Sequence, residues 1–89
     1  MEIAYTVQIW REGKQYIAHA MPLDVASSGD TPELARTALE EAISLFIKTA
    51  EEQGTLTEVL EDSGYKSDGV SWHSPEWVCF EKHSTPVAA

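Results

Sequence analysis

From Glu2 to Trp10 the apolar residues Ile3, Tyr5, Val7 and Ile9 alternate with Glu2, Thr6 and Gln8, the period of a strand that buries one face. Trp10 has the opposite parity to that apolar set and is expected on the other face. The polar run Arg11-Glu12-Gly13-Lys14 makes a turn, and Gln15 to Met21 is again rich in β-formers, so the pair predicts an antiparallel hairpin. Pro22 ends the second strand, and Leu23 to Ser28 predicts a third before Gly29-Asp30. Thr31-Pro32-Glu33 then supplies a hydroxyl N-cap, a proline at the first helical position and an acid in the first turn. The helix it opens runs to about Gln53, with Gly54 as its stop.

Along that helix Ala35, Ala38, Leu39, Ala42, Phe46 and Ala50 recur at spacings of three and four, and Leu34, Ile43 and Ile47 widen the stripe. One face therefore packs on the sheet. Thr55-Leu56-Thr57-Glu58 has the pattern of a capping box and opens a second, short helix that ends at Gly64. Lys66 to Pro75 mixes serine, glycine, aspartate and proline and reads as a loop, whereas Glu76 to His83 returns to strand chemistry around Trp77-Val78-Cys79-Phe80. The predicted order is β-β-β-α-α-β, an α+β architecture with a small antiparallel-rich sheet covered on one face by a long helix. Residues 1–84 form the single domain of this scheme and 85–89 a flexible tail.

Size and charge narrow what such a domain does. Its 89 residues leave no room for a second core. A domain this small buries only about 60–65% of its unfolded surface, so self-association is an expected route to stability. Fifteen acidic against six basic residues give a net charge of −9, which repels a phosphate backbone and argues against direct nucleic-acid binding. A basic protein is the natural complement. The single cysteine, Cys79, forms no internal disulfide and points to a reducing compartment. With no apolar run near the ~20 residues of a membrane span and no basic amino-terminal region, the expected location is the cytoplasm.

Three stretches resemble the HicB-like antitoxin family. They are the hairpin from Tyr5-Thr6-Val7-Gln8-Ile9 to Tyr16-Ile17-Ala18-His19-Ala20, the helix entry Ser28-Gly29-Asp30-Thr31 leading into Ala35, Ala38, Leu39, Glu41, Ala42 and Ile43, and Leu60-Glu61-Asp62-Ser63-Gly64-Tyr65 with the later Trp77-Val78-Cys79-Phe80. The resemblance implies a partial ribonuclease H-like fold and a role in neutralising a small, basic, RNA-cleaving toxin of the HicA type. Two departures limit it. Pro22-Leu23-Asp24-Val25 keeps only the first half of the family's proline-rich turn, and few residues follow Phe80 where many members append a DNA-binding segment. DNA-linked autoregulation is therefore not carried over.

The chemistry-bearing residues do not assemble into a catalytic pattern. A ribonuclease H-like nuclease needs convergent carboxylates to hold divalent metal, and here Glu2, Asp24, Asp30, Glu33 and Glu76 fall at element ends or in a helix's first turn, where capping accounts for them. His19, His73 and His83 sit on separate elements without the i,i+3 or i,i+4 spacing of a metal site. Ser71-Trp72-His73-Ser74 places serines near a histidine, but without a nucleophile elbow it reads as a loop histidine. Cys79, within a strand, reads as a packing residue. No enzyme activity and no cofactor are expected. Tryptophans on an uncovered sheet are the composition of an interface, which makes Trp10, Trp72, Trp77 and Phe80 its candidate residues. The expected partners are a HicA-type toxin and a second copy of the chain, as a homodimer or a higher homo-oligomer. The alternative function is a solitary self-associating domain with another protein-binding role.

Overall fold

The computed structural model describes residues 1–88. The strands are β1 (Glu2–Ile3), β2 (Thr6–Glu12), β3 (Gln15–Met21), β4 (Val25–Gly29), β5 (Lys66–Ser67) and β6 (Ser71–His73), with helices α1 (Pro32–Glu52) and α2 (Leu56–Asp62) between β4 and β5. They form two sheets, β2-β3-β4 and β1-β6-β5, and α1 packs on the first. The fold is α+β, as the patterning predicts.

The main sheet is antiparallel throughout. Glu12 pairs with Gln15, so the first hairpin turns on Gly13 and Lys14 alone, with Gly13 at φ 61°. A two-residue loop whose first position has positive φ is the type II′ arrangement that glycine favours. The second connection, Pro22-Leu23-Asp24, is as tight. Asp24 sits at φ 60° and its N–H donates to the Ala20 carbonyl at 2.9 Å, while Leu23 is buried beneath it.

Alternation and register sort the sheet into two faces. Ile9, Tyr16, Ala18, Ala20 and Val25 turn toward α1. Ala18 and Ala20 are completely buried, because their short side chains let Leu39, Ile43 and Ala35 of the helix come close to the sheet. Gly29, on the same face of β4, has the tightest approach. A Cβ built there would lie 2.6 Å from the Ala35 nitrogen and 2.8 Å from the Leu34 carbonyl carbon. Its role is space for the first turn of α1, beyond the capping chemistry of the residues that follow it.

The start of α1 is as expected: Thr31 Oγ1 accepts from the Leu34 N–H at 3.1 Å and Pro32 occupies the first turn. Leu34, assigned to the packed stripe, lies exposed instead. The capping box at α2 does not form. Thr55 has ψ near 2°, not the extended backbone of a box, and its hydroxyl reaches back to the Ala50 carbonyl at 3.4 Å.

Three further expectations are corrected. The first strand is two strands, since β1 leaves the line of β2 at Ala4-Tyr5 and pairs in parallel with β6. The segment expected as a loop contains β5 and β6, closed by an Asp68-Gly69-Val70 turn in which Asp68 Oδ1 accepts from the Val70 and Ser71 N–H groups, both at 2.8 Å. The expected terminal strand, Glu76 to His83, pairs with nothing. Its composition is right, but a strand needs a neighbour with free backbone groups, and among the described residues it pairs with none. Of the expected tail, 85–88 carry no regular structure and Ala89 lies outside the described residues.

Candidate functional site

The face of the main sheet turned away from α1 carries Thr6, Gln8, Trp10 and Glu12 from β2, Gln15, Ile17, His19 and Met21 from β3, and Ala26 and Ser28 from β4. Trp10 lies on it as its parity predicts, 39% exposed, with its indole N–H donating to Glu12 Oε1 at 2.9 Å. Gln8 pairs with His19 and Trp10 with Ile17, so His19 is the diagonal neighbour of Trp10; the two rings are 6.2 Å apart at 55°.

A polar network fixes the middle of this face. His19 Nε2 meets Asp24 Oδ1 at 2.7 Å, and Gln8 Nε2 lies 3.3 Å from His19 Nδ1 and 3.4 Å from Met21 Sδ. The geometry fits the tautomer in which His19 Nε2 carries the hydrogen, donating to Asp24 and accepting from Gln8 at Nδ1. Asp24 reaches this position because of its left-handed backbone, a conformation that aspartate tolerates better than most residues. Sequence reading placed Asp24 and His19 separately; the turn joins them. The result is a presented surface with Trp10, Ile17 and Met21 as its apolar parts, the side chains around them held by hydrogen bonds, and Asp24 and Glu12 at the margin.

The other three candidates lie elsewhere. Trp72 is only 7% exposed and belongs to the core, packed with Tyr65, Leu60 and Leu23, so it takes no part in a surface. Its position on β6, paired with Ile3 and Ser67, turns it inward. Trp77 and Phe80 are on the segment that follows β6, 40% and 64% exposed, and their rings lie 5.9 Å apart, tilted at 40° to each other. Cys79 between them is exposed, contrary to the expected packing role.

The serine and histidine in the β5–β6 turn do come together. His73 Nε2 lies 2.6 Å from Asp68 Oδ2 and 3.3 Å from Ser71 Oγ. Both contacts use the same ring nitrogen, whereas a serine-histidine-acid relay needs the acid on one nitrogen and the hydroxyl on the other. The group is half-exposed and orders the turn. The hydrogen bond from His73, then those from the Ser71 and Val70 N–H groups, hold the Asp68 carboxyl far below its ordinary range. The Asp-Gly pair at the tip is a hairpin signal that the expectation of a loop over 66–75 passes over.

Tyr65 has the opposite environment. Its hydroxyl is buried without a hydrogen-bond partner among the described residues, and burial, with a smaller effect of Tyr5, pushes its pKa up to about 12. Among the described residues no three of His, Cys, Asp or Glu converge on one point, and no helix is long and apolar enough to cross a membrane. A separate apolar groove of about 440 Å³ lies between the second half of α1 and the start of α2, lined by Leu45, Phe46, Thr49 and Val59 and reaching Val25 on β4. Compared with models of protein families, with curated proteins and with solved structures, the chain has no significant match to any of them.

Proposed function

We propose that the protein is a binding module whose uncovered sheet face docks a small basic protein, and that it neutralises an RNA-cleaving toxin of the HicA type by covering the surface on which RNA would lie. The observation that carries this reading is the one-sided sheet: α1 occupies one face, and the other displays Trp10 amid ordered polar groups. Aromatic anchors ringed by polar contacts are the composition of interface centres. Charge supports the same reading. A toxin that grips RNA is positively charged, and a chain of net charge −9 is drawn to it at long range and competes with the phosphates it would hold. The resemblance of the hairpin and helix entry to HicB-like antitoxins supplies the toxin class.

Co-expression with a small basic toxin of the HicA type tests the reading. The chain relieves growth arrest, and Trp10→Ala weakens that relief while leaving the chain folded. Arrest that persists beside abundant soluble chain refutes the proposal.

A further inference from the structure

Residues 76–88 carry no regular structure and are exposed throughout. The radius of gyration is 15.5 Å and the longest extent 48 Å, against about 12 Å expected for a compact chain of this length. Yet 76–82 is not composed as a solvated tail. It carries Trp77, Val78 and Phe80, with Val78 93% exposed, and it has β-forming chemistry without a β partner.

The fold leaves one long strand edge open. β2 pairs with β3 on one side only and, with seven residues, is the longer of the main sheet's two edge strands. The β1–β6 ladder, which would shield that side, ends where the Ala4 N–H donates to the Trp72 carbonyl at 3.2 Å. Pro75 follows, with no N–H to carry the ladder onward, and the chain departs. Along β2, Val7, Gln8, Trp10, Arg11 and Glu12 are all exposed. An unpaired segment of strand chemistry and an unpaired strand edge in one molecule satisfy each other's backbone groups when two molecules meet.

We propose that the segment 76–82 of one copy adds as a strand to the free edge of β2 in a second copy, so that two chains form a homodimer by exchanging arms. A stable interface buries about 1,600 Å² in total, and the still-exposed parts of the four aromatic rings of two arms supply roughly a quarter of that when covered. Reciprocal exchange doubles each contact and closes the assembly with two-fold symmetry. The added strands widen the uncovered face without occupying it, and both chains carry −9, so salt strengthens this dimer where it weakens a complex with a basic partner.

The test uses the full chain. Light scattering after size exclusion gives twice the 9.9 kDa chain mass, Phe80→Glu raises the dimer dissociation constant tenfold or more without lowering the melting temperature of the isolated fold, and added salt favours the dimer. The position of the arm is read by disulfide capture, because Cys79 is the chain's one cysteine. A chain with native Cys79 is mixed with one bearing Cys79→Ser and either Val7→Cys or Arg11→Cys, and oxidation yields the mixed covalent dimer. A monomer at every concentration, a dimer indifferent to Phe80→Glu, capture by Leu45→Cys in the groove in place of β2, or ready intrachain closure of Cys79 on Arg11→Cys each overturns the proposal. None of these outcomes depends on a toxin.

Discussion

Gly29→Ala isolates the contact on which the sheet-helix sandwich depends. The added methyl would stand 2.6 Å from the Ala35 nitrogen, 2.8 Å from the Leu34 carbonyl carbon and 2.9 Å from the Leu34 Cβ. Two of these atoms are backbone, held by the cap at Thr31 and by the Ala35 N–H to Thr31 carbonyl bond at 3.0 Å. Neither can rotate aside as a side-chain tip can, so α1 must lift from β4. Overpacking of this kind costs about 1–3 kcal/mol where side chains adjust, and a rigid backbone neighbour puts the cost at the upper end or above it. A domain of this size has only about 4–13 kcal/mol of stability, and each kcal/mol shifts its melting temperature by about 4–8 °C. A loss of roughly 10–20 °C follows, measured by circular dichroism at 222 nm. Gly13→Ala is the contrast, since nothing lies within 4 Å of its built Cβ and the cost is only that of φ 61°, about 1 kcal/mol. If Gly29→Ala melts within two degrees of the parent, α1 does not approach β4 as described.

Tyr65→Phe removes a buried hydroxyl that has no partner; leaving such a group unpaired costs about 1–3 kcal/mol, so the variant is as stable as the parent or more so in urea unfolding, and a clear loss would reveal a partner for the hydroxyl. Thr31→Ala loses the cap to Leu34 and about 1 kcal/mol, whereas Thr55→Ala, which removes no cap, costs less than half as much; equal losses would contradict the two cap geometries. Asp68 has a folded-state pKa depressed below its unfolded value, so its contribution to stability is complete above the unfolded value and fades as pH falls from there toward the folded one. Carboxyl-carbon NMR should find Asp68 still ionised at pH 3, and His73→Ala should bring its titration back toward the ordinary range; a normal titration in the parent would contradict the turn.

How far these elements were legible follows from where their signals lie. β2, β3, β4 and α1 are written locally, in the alternation from Thr6 to Ile9, the Gly13 turn and the Thr31-Pro32 cap. The break at Ala4-Tyr5 is not, because nothing in an unbroken alternation shows that β1 will pair with a strand near residue 71. β5 and β6 together hold five residues and exist through that pairing and the Asp68 turn, and their Ser-Gly-Asp content resembles any loop. Segment 76–83 shows the converse, strand chemistry that joins neither sheet among the described residues. For the candidate site, the parity of Trp10 was readable, but Trp72 was misjudged because its element was missed. The His19-Asp24 contact needed the left-handed turn at Asp24, which few aspartates adopt.

We propose the face carrying Trp10, Ile17 and His19 as the surface that a basic partner covers. Amide NMR of the labelled full chain, titrated with a catalytically inactive toxin of the HicA type, reads that surface residue by residue. Shifts are expected in β2, β3 and the Asp24 turn, with a loss of affinity of tenfold or more on Trp10→Ala and weakening with salt. Saturating partner with no shifts, or shifts confined to the exposed side of α1, would contradict it.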